Sequence, residues 1–245
     1  MSQSSSPLLP FLQKLERHIS LSEADREAIL ALPFTLRELD AGAYLSREGE
    51  RAQHCWVILS GYVCSHKIVA NGARQILSVH MKGDGVDLQN AVLAVVDHNI
   101  QALSQVRAAL IPADAVSELV PSHPGAARAM WIETLVNASI QREWIANVGR
   151  RDARTRIAHL LCEIGLRIEA AGVGERQRFE LPMTQEQLAD ATGLTPVHVN
   201  RVLQGLGADQ IIDLDKRVLE VANWDGLAAV GDFRMTYLHP AGAAS

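Results

Sequence analysis

The stretch TQEQLADATGLTPVHVNRVLQGL, residues 184–206, constrains the fold of this 245-residue chain more than any other. Thr184 can cap a helix, and Gln187 three positions on closes a capping box. A hydroxyl and an amide at that spacing satisfy two of the backbone N–H groups that a helix start leaves unpaired. Leu188 supplies a core contact, and Ala189 is small enough to let a second helix cross closely. Gly193 falls where the chain must turn sharply, a position suited to positive φ. Thr195 can cap a second helix with Pro196 in its first turn, where a missing N–H costs nothing. Val199, Val202, Leu203 and Leu206 then recur at three- and four-residue spacing as an inward stripe. Val197, His198, Asn200, Arg201 and Gln204 are left outside. This is the pattern of a helix-turn-helix, whose second helix enters the major groove of DNA. An ordinary helical hairpin in a core is the alternative, but caps, small residue, turn glycine and stripe agree in order and spacing.

The residues after Leu206 extend this pattern. Residues 209–214 read as a turn and a strand, and Val218, Leu219 and Val221 begin another, with Asp215, Lys216 and Arg217 between them as the tip of a β-wing. A winged helix-turn-helix is expected. The net charge of −5 argues mildly against nucleic acid, because phosphate binding is driven by Lys and Arg. Residues 150–217 carry as many bases as acids, however, so the excess acidity lies outside them, most of it upstream. A neutral domain can bind DNA if its few cations face one way, and modest affinity per monomer makes dimerisation important.

Upstream, the periodicity changes from helical to strand-like. Ser22, Asp25, Ile29 and Leu30 mark a short helix that ends near Pro33. From Phe34 onward short apolar runs alternate with turn signals: Asp40-Ala41-Gly42, Glu48-Gly49-Glu50, Ser60-Gly61 and Lys82-Gly83-Asp84-Gly85. Residues 62–69 and 75–79 read as hairpin arms closed by Asn71-Gly72. Such punctuation predicts a compact antiparallel barrel or jelly roll over residues 34–120. Residues 103–111 read as a strand pair and Pro112-Ala113-Asp114 as a helix start. Residues 125–149 contain no proline and carry Ile132, Val136, Ile140, Trp144 and Val148 at steps of four, with Leu135 and Ile145 beside them. That stripe is long for a surface helix, and pairing with a twin in a dimer is favoured over packing within its own domain. Asp152 reads as the N-cap of a further helix, 153–170. The fold class is therefore α+β: an N-terminal tail and helix (1–33), a jelly-roll-like antiparallel β-roll (34–120), a long dimerisation helix (121–151), a winged helix-turn-helix (152–231) and a C-terminal extension (232–245) that ends in Ala-Gly-Ala-Ala-Ser and reads as mobile.

Hydrophobic residues make up 48% of the chain, ample for two cores. No apolar run approaches the ~18–20 residues that span a membrane, and the first residues, which read as a loose tail, lack the pattern of a signal peptide. Cys55, Cys64 and Cys162 are odd in number and match no metal spacing, so a reduced cytoplasmic protein is expected. Their redox role is left open; Cys55 and Cys64 read first as packing thiols.

Taken together, the chain resembles the Crp/Fnr superfamily of bacterial transcription regulators from about residue 34 to 227. The resemblance is strongest in Arg151-Asp152-Ala153-Arg154-Thr155-Arg156-Ile157-Ala158, like the family's hinge, and in residues 181–206. Leu59-Ser60-Gly61 and Lys82-Gly83-Asp84 match the glycine turns of its roll. It implies a homodimer on a palindromic double-stranded operator, with RNA polymerase as a further partner. In its register Arg201 stands where an arginine pairs with guanine, Val197 where many relatives carry a glutamate, and Pro196 where others carry an arginine. Thr184, Thr195, His198, Asn200 and Gln204 complete the expected DNA face, and Lys216 and Arg217 would hold phosphates.

The sensory half departs from the family. Its cyclic-nucleotide binders show Gly-Glu-Leu followed by Arg-Ser or Arg-Thr; here Val86-Asp87-Leu88 and Asp97-His98-Asn99-Ile100 stand instead. A buried phosphate would lack its arginine and meet an acid, so cyclic AMP is not expected, and the effector stays unassigned. The N-terminal cysteine cluster of the iron–sulfur oxygen sensors is absent. His54, His66, His80 and His98 show no paired ligand spacing, so no metal or other cofactor is assigned. A second reading keeps the roll as a ligand- or protein-binding module with a vestigial DNA domain. An enzyme ranks third, for want of any nucleophile elbow, P-loop, zinc motif or carboxylate pair.

Overall fold

The computed structural model describes residues 6–240. They form two units: one takes residues up to His66, Val79–Ser139 and those from Leu238; the other takes Lys67–Ser78 and Ile140–Tyr237.

The first unit begins with helices α1 (Leu9–Leu15) and α2 (Glu23–Leu30). Leu8, Phe11, Leu12 and Leu15 lie on one helical face and are fully buried. The sequence reading of a loose tail is therefore corrected from Leu8 onward, while residues 1–5 lie outside the described residues. Ser22 caps α2 by accepting from the Asp25 amide at 3.2 Å.

Next come β1 (Thr35–Leu39), β2 (Tyr44–Ser46), β3 (His54–Ser60), β4 (Val63–Ile68), β5 (Arg74–His80), β6 (Gly85–Val86), β7 (Asn99–Ala102) and β8 (Val106–Pro112). They build two four-stranded sheets, in the orders β1-β8-β3-β6 and β2-β7-β4-β5. The antiparallel roll expected from the strand spacing is present, but residues 103–111 supply one strand rather than a pair. Gly61, between β3 and β4, has φ +80°, and a Cβ there would stand 2.1 Å from the Gln105 carbonyl oxygen; no other residue fits.

Helices α3 (Ala113–Ser122) and α4 (Pro124–Arg150) follow the roll. Period-two alternation along β3 divides the packing into two cores. Trp56 and Ile58 meet Val63, Ile100 and Val106 between the sheets. Cys55 and Val57 face the other way, against Phe11, Leu12, Val116 and Met130. A buried ion triad reinforces the second core: the Lys14 ammonium lies 2.6 Å from Asp84 Oδ1 and 2.5 Å from Glu133 Oε1. It ties α1 to the turn before β6 and to α4.

The exposed face of α4 differs from the stripe read in the sequence. Val136, Ile140 and Trp144 are buried within the chain itself, and Ile132 and Val148 are half-buried. Trp131, Leu135 and Ile145 are exposed, at 67%, 48% and 73%. Steps of four advance about 40° around a helix each time. The 132–148 stripe therefore winds off one face, whereas 131, 135, 138, 142 and 145 keep the alternating four-three spacing of a coiled-coil seam.

The second unit contains Lys67–Ser78, which takes in the end of β4 and most of β5, residues 140–150 of α4, α5 (Ala153–Ala170), β9 (Arg178–Glu180), α6 (Gln185–Thr192), α7 (Pro196–Ala208), β10 (Asp213–Asp215), β11 (Val218–Glu220), α8 (Trp224–Val230) and most of a 3-10 turn, Met235–Leu238. Helix α5 buries Ile157, Leu160, Leu161, Ile164 and Ile168 and packs against α7 and α8. The strands form an antiparallel sheet, β10-β11-β9, with Leu219 opposite both Leu214 and Phe179. The expected wing is present, with β9 as an added strand. The segment after α8 is docked rather than loose: the Phe233 and Tyr237 rings pack with His159 of α5. The Ala/Gly-rich end, 241–245, lies outside the described residues.

Candidate nucleic-acid interface

Local chemistry sets the angle between α6 and α7. Thr184 Oγ1 accepts from the Gln187 amide at 3.2 Å, and Gln187 Oε1 accepts from the Thr184 amide at 2.8 Å, closing the capping box. Gly193 ends α6 in the left-handed region at φ +66°, and its α-carbon faces Val148 closely enough that a Cβ would meet the valine methyl at 3.3 Å. Thr195 Oγ1 accepts from the His198 amide at 3.3 Å, and Pro196 opens α7. Both threonine hydroxyls are thus committed as acceptors within the fold, each keeping its O–H to donate outward.

With Val199, Val202, Leu203 and Leu206 buried, α7 presents Val197, His198, Asn200, Arg201 and Gln204 to solvent. A groove of about 710 Å³ separates the C-terminal half of α7 from the wing and brings Gln185, Gln204 and Lys216 together, with Asp213 on its wall. Lys216 takes φ +55° at the wing tip. Arg217 is partly engaged at home: it donates to the Leu181 carbonyl at 2.8 Å and lies 3.5 Å from Glu180.

The balance of charge is resolved by pairing. Arg154 pairs with Asp209, Arg178 with Glu220, and Arg74 at the tip of the β4–β5 hairpin with Asp190 at 2.7 Å. Arg201 and Lys216 form no ion pair among the described residues, and both are exposed. A unit with no net basic excess therefore still offers two uncommitted cations, on the reading helix and on the wing.

The roll carries its own charged site. Asp87 is buried, at φ +58°, and its Oδ1 lies 3.1 Å from His98 Nε2; His98 Nδ1 lies 2.7 Å from Asp97 Oδ1. Burial pulls the His98 pKa down, but the hydrogen bonds and charges of Asp87 and Asp97 outweigh it and carry it up to about 9. The imidazolium thus ties Asp87 to the Asp97–His98 segment. Because the folded pKa lies above the ordinary 6.5, the pair's stabilisation is fully present below pH 6.5 and is lost as pH rises through about 9. Relative to a His98→Gln variant, the native chain is expected to lose on the order of 2 kcal/mol of stability between pH 7 and 9.5. Parallel urea titrations of both proteins check this; identical pH dependence would show that the ion pair does not stabilise the roll.

Comparison with known proteins decides the family. Residues 36–123 match the cyclic nucleotide-binding domain and residues 155–230 match the Crp-like helix-turn-helix domain. The chain is 26% identical over 182 residues to the transcriptional activator protein FnrL of Cereibacter sphaeroides, covering 73% of each. It is 23% identical to the transcriptional activator protein FnrA of Stutzerimonas stutzeri, covering 86% of each. The solved structure of FixK2 from Bradyrhizobium japonicum superposes with a TM-score of 0.75 at 23% identity, over 81% of this chain and 98% of that one. The chain belongs to the Crp/Fnr superfamily.

In this Crp/Fnr protein Asp152 is the N-cap of α5: its Oδ1 accepts from the Thr155 amide at 2.9 Å, and that hydrogen bond holds its carboxyl below the usual range. One group escaped the sequence reading. Glu163 is fully buried in α5 and accepts from Trp144 Nε1–H at 3.0 Å, the Tyr237 hydroxyl at 2.8 Å and Arg167 at 3.2 Å. A carboxylate between Leu160, Leu161 and Ile164 was the available signal, since a charge on a core stripe needs partners. All three thiols are buried, and burial pushes Cys55 and Cys162 up to about 12, away from the reactive thiolate. Among the described residues no group of three or more His, Cys, Asp or Glu is placed to hold a metal ion, and no helix is long and apolar enough to cross a membrane.

Proposed function

We propose that this Crp/Fnr protein is a cytoplasmic, sequence-specific DNA-binding transcription regulator that acts as a homodimer on a palindromic operator, with RNA polymerase as its further partner. The observation that carries the reading is the capped, exposed face of α7 with Arg201 uncommitted at its centre. Its planar fork matches guanine O6 and N7 in the major groove. Thr184 and Thr195 set the helices and can donate to phosphates, Lys216 meets the backbone from the wing, and Arg217 contributes with its remaining donors. Asp152 marks the hinge into this domain. FnrL and FnrA are transcriptional activators by name, which supports the regulator; activation or repression at this chain's own targets is a separate property.

The dimer seam we propose is Trp131, Leu135 and Ile145, the apolar residues α4 leaves in water, in place of the buried Val136, Ile140 and Trp144. An Ile145→Asp variant is expected to stay folded, to sediment as a monomer and to bind its operator at least about tenfold more weakly, because one reading helix per chain spans only a half-site. An unchanged dimer would move the interface elsewhere. Cyclic AMP is not part of this reading, because His98 is already paired with Asp87 and Asp97 and leaves no free positive charge there for a phosphate.

The experiment that tests the function is selection of bound duplexes from a random pool by the purified chain without added ligand. Enrichment of a palindrome supports the proposal. No enrichment with the native protein, alone or taken from cell extract, would favour the binding-module alternative.

A further inference from the structure

Val197 is 71% exposed in the first turn of α7, on a face whose other members are polar. A single exposed valine on a protein surface is ordinary; its place is what gives this one meaning. Positions 197, 201 and 204 fall at i, i+4 and i+7, so Val197, Arg201 and Gln204 form one line along the reading face. The N-terminal turns of a recognition helix are the part that meets base edges. Valine has no donor or acceptor, so it gains nothing from the edge of guanine, adenine or cytosine. The thymine 5-methyl is the one apolar group the major groove presents.

We propose that Val197 is a specificity-determining residue that packs on a thymine methyl in each half-site, close to the guanine taken by Arg201. The inference rests on the DNA-binding reading above and adds the base class at one position. Four residues of helix advance about 6 Å, and base pairs are stacked about 3.4 Å apart, so the two bases lie within about two steps of each other. Pro196 and Thr195 fix the backbone on which Val197 stands, so the methyl contact requires no rearrangement of the first turn.

The test uses the palindrome recovered from the random pool, remade with deoxyuridine at one thymine position at a time, which removes only the 5-methyl group. One thymine per half-site is expected to matter, its loss weakening the native protein about fourfold in one half-site and about fifteenfold in both, the values for burying one methyl and two. Val197→Ala, exposed and so neutral for folding, is expected to bind the unmodified duplex weaker by a similar factor and to be indifferent to the same deoxyuridine. A half-site without thymine, no sensitive thymine, or an equal penalty in native and variant proteins would overturn the inference while leaving DNA binding intact. Failure to bind any duplex would overturn the underlying function, and this inference with it.

Discussion

Replacing Glu163 by alanine is expected to destabilise the second unit by about 3–5 kcal/mol, the range for removing one member of a buried charged network. The carboxylate is fully buried, and Trp144, Tyr237 and Arg167 all donate to it. Without it the Trp144 N–H loses its acceptor, and the segment after α8 loses one of the contacts that anchor Tyr237. Burial and the Glu163 charge together raise the Tyr237 pKa, so its hydroxyl stays protonated and keeps donating. Glu163→Gln, which keeps the shape and one acceptor, is expected to cost roughly half as much. For a chain of this size the alanine variant should melt about 10 °C lower. A loss under about 1 kcal/mol in urea titration would show that the network is not what holds the C-terminal segment.

Arg201→Ala is expected to reduce operator affinity by about 100-fold or more, because a bidentate arginine–guanine contact is worth about 1–3 kcal/mol and a palindrome makes it twice. The residue is exposed and forms no ion pair among the described residues, so melting should be unchanged. Arg201→Lys should recover little, because a point charge cannot reproduce the planar fork. Competition with unrelated DNA separates the effects: specific affinity falls while the weak, salt-dependent background persists. Equal affinity for native and variant proteins would remove Arg201 from base reading.

The DNA-binding half was legible because its rules are local. Capping hydroxyls, a turn glycine and a four-residue apolar stripe are each decided within one or two helical turns, and Thr184, Gln187, Gly193 and Thr195 all do in the structure what their spacing implies. The roll was legible through its turns. The features that escaped depend on packing between distant segments. Leu8, Phe11, Leu12 and Leu15 do share a face, but the Ser-rich residues before them masked a helix whose stability comes from docking on β3 and α4. Glu163 makes sense only once Trp144 and Tyr237 are brought to it. On α4, Val136, Ile140 and Trp144 are buried within the chain and the apolar residues left exposed lie one position away at Trp131, Leu135 and Ile145, a face that four-residue steps alone do not mark because they precess around the helix.

If two copies of this chain read one palindrome, affinity must depend on the distance between the half-sites. The decisive experiment titrates the selected duplex with the native protein while the spacer between half-sites is lengthened. The expected result is two chains per duplex, half-site centres about one helical turn apart, and a collapse of affinity when about half a turn of DNA is inserted. One chain per duplex, with affinity indifferent to spacing, would rule out paired reading of a palindrome.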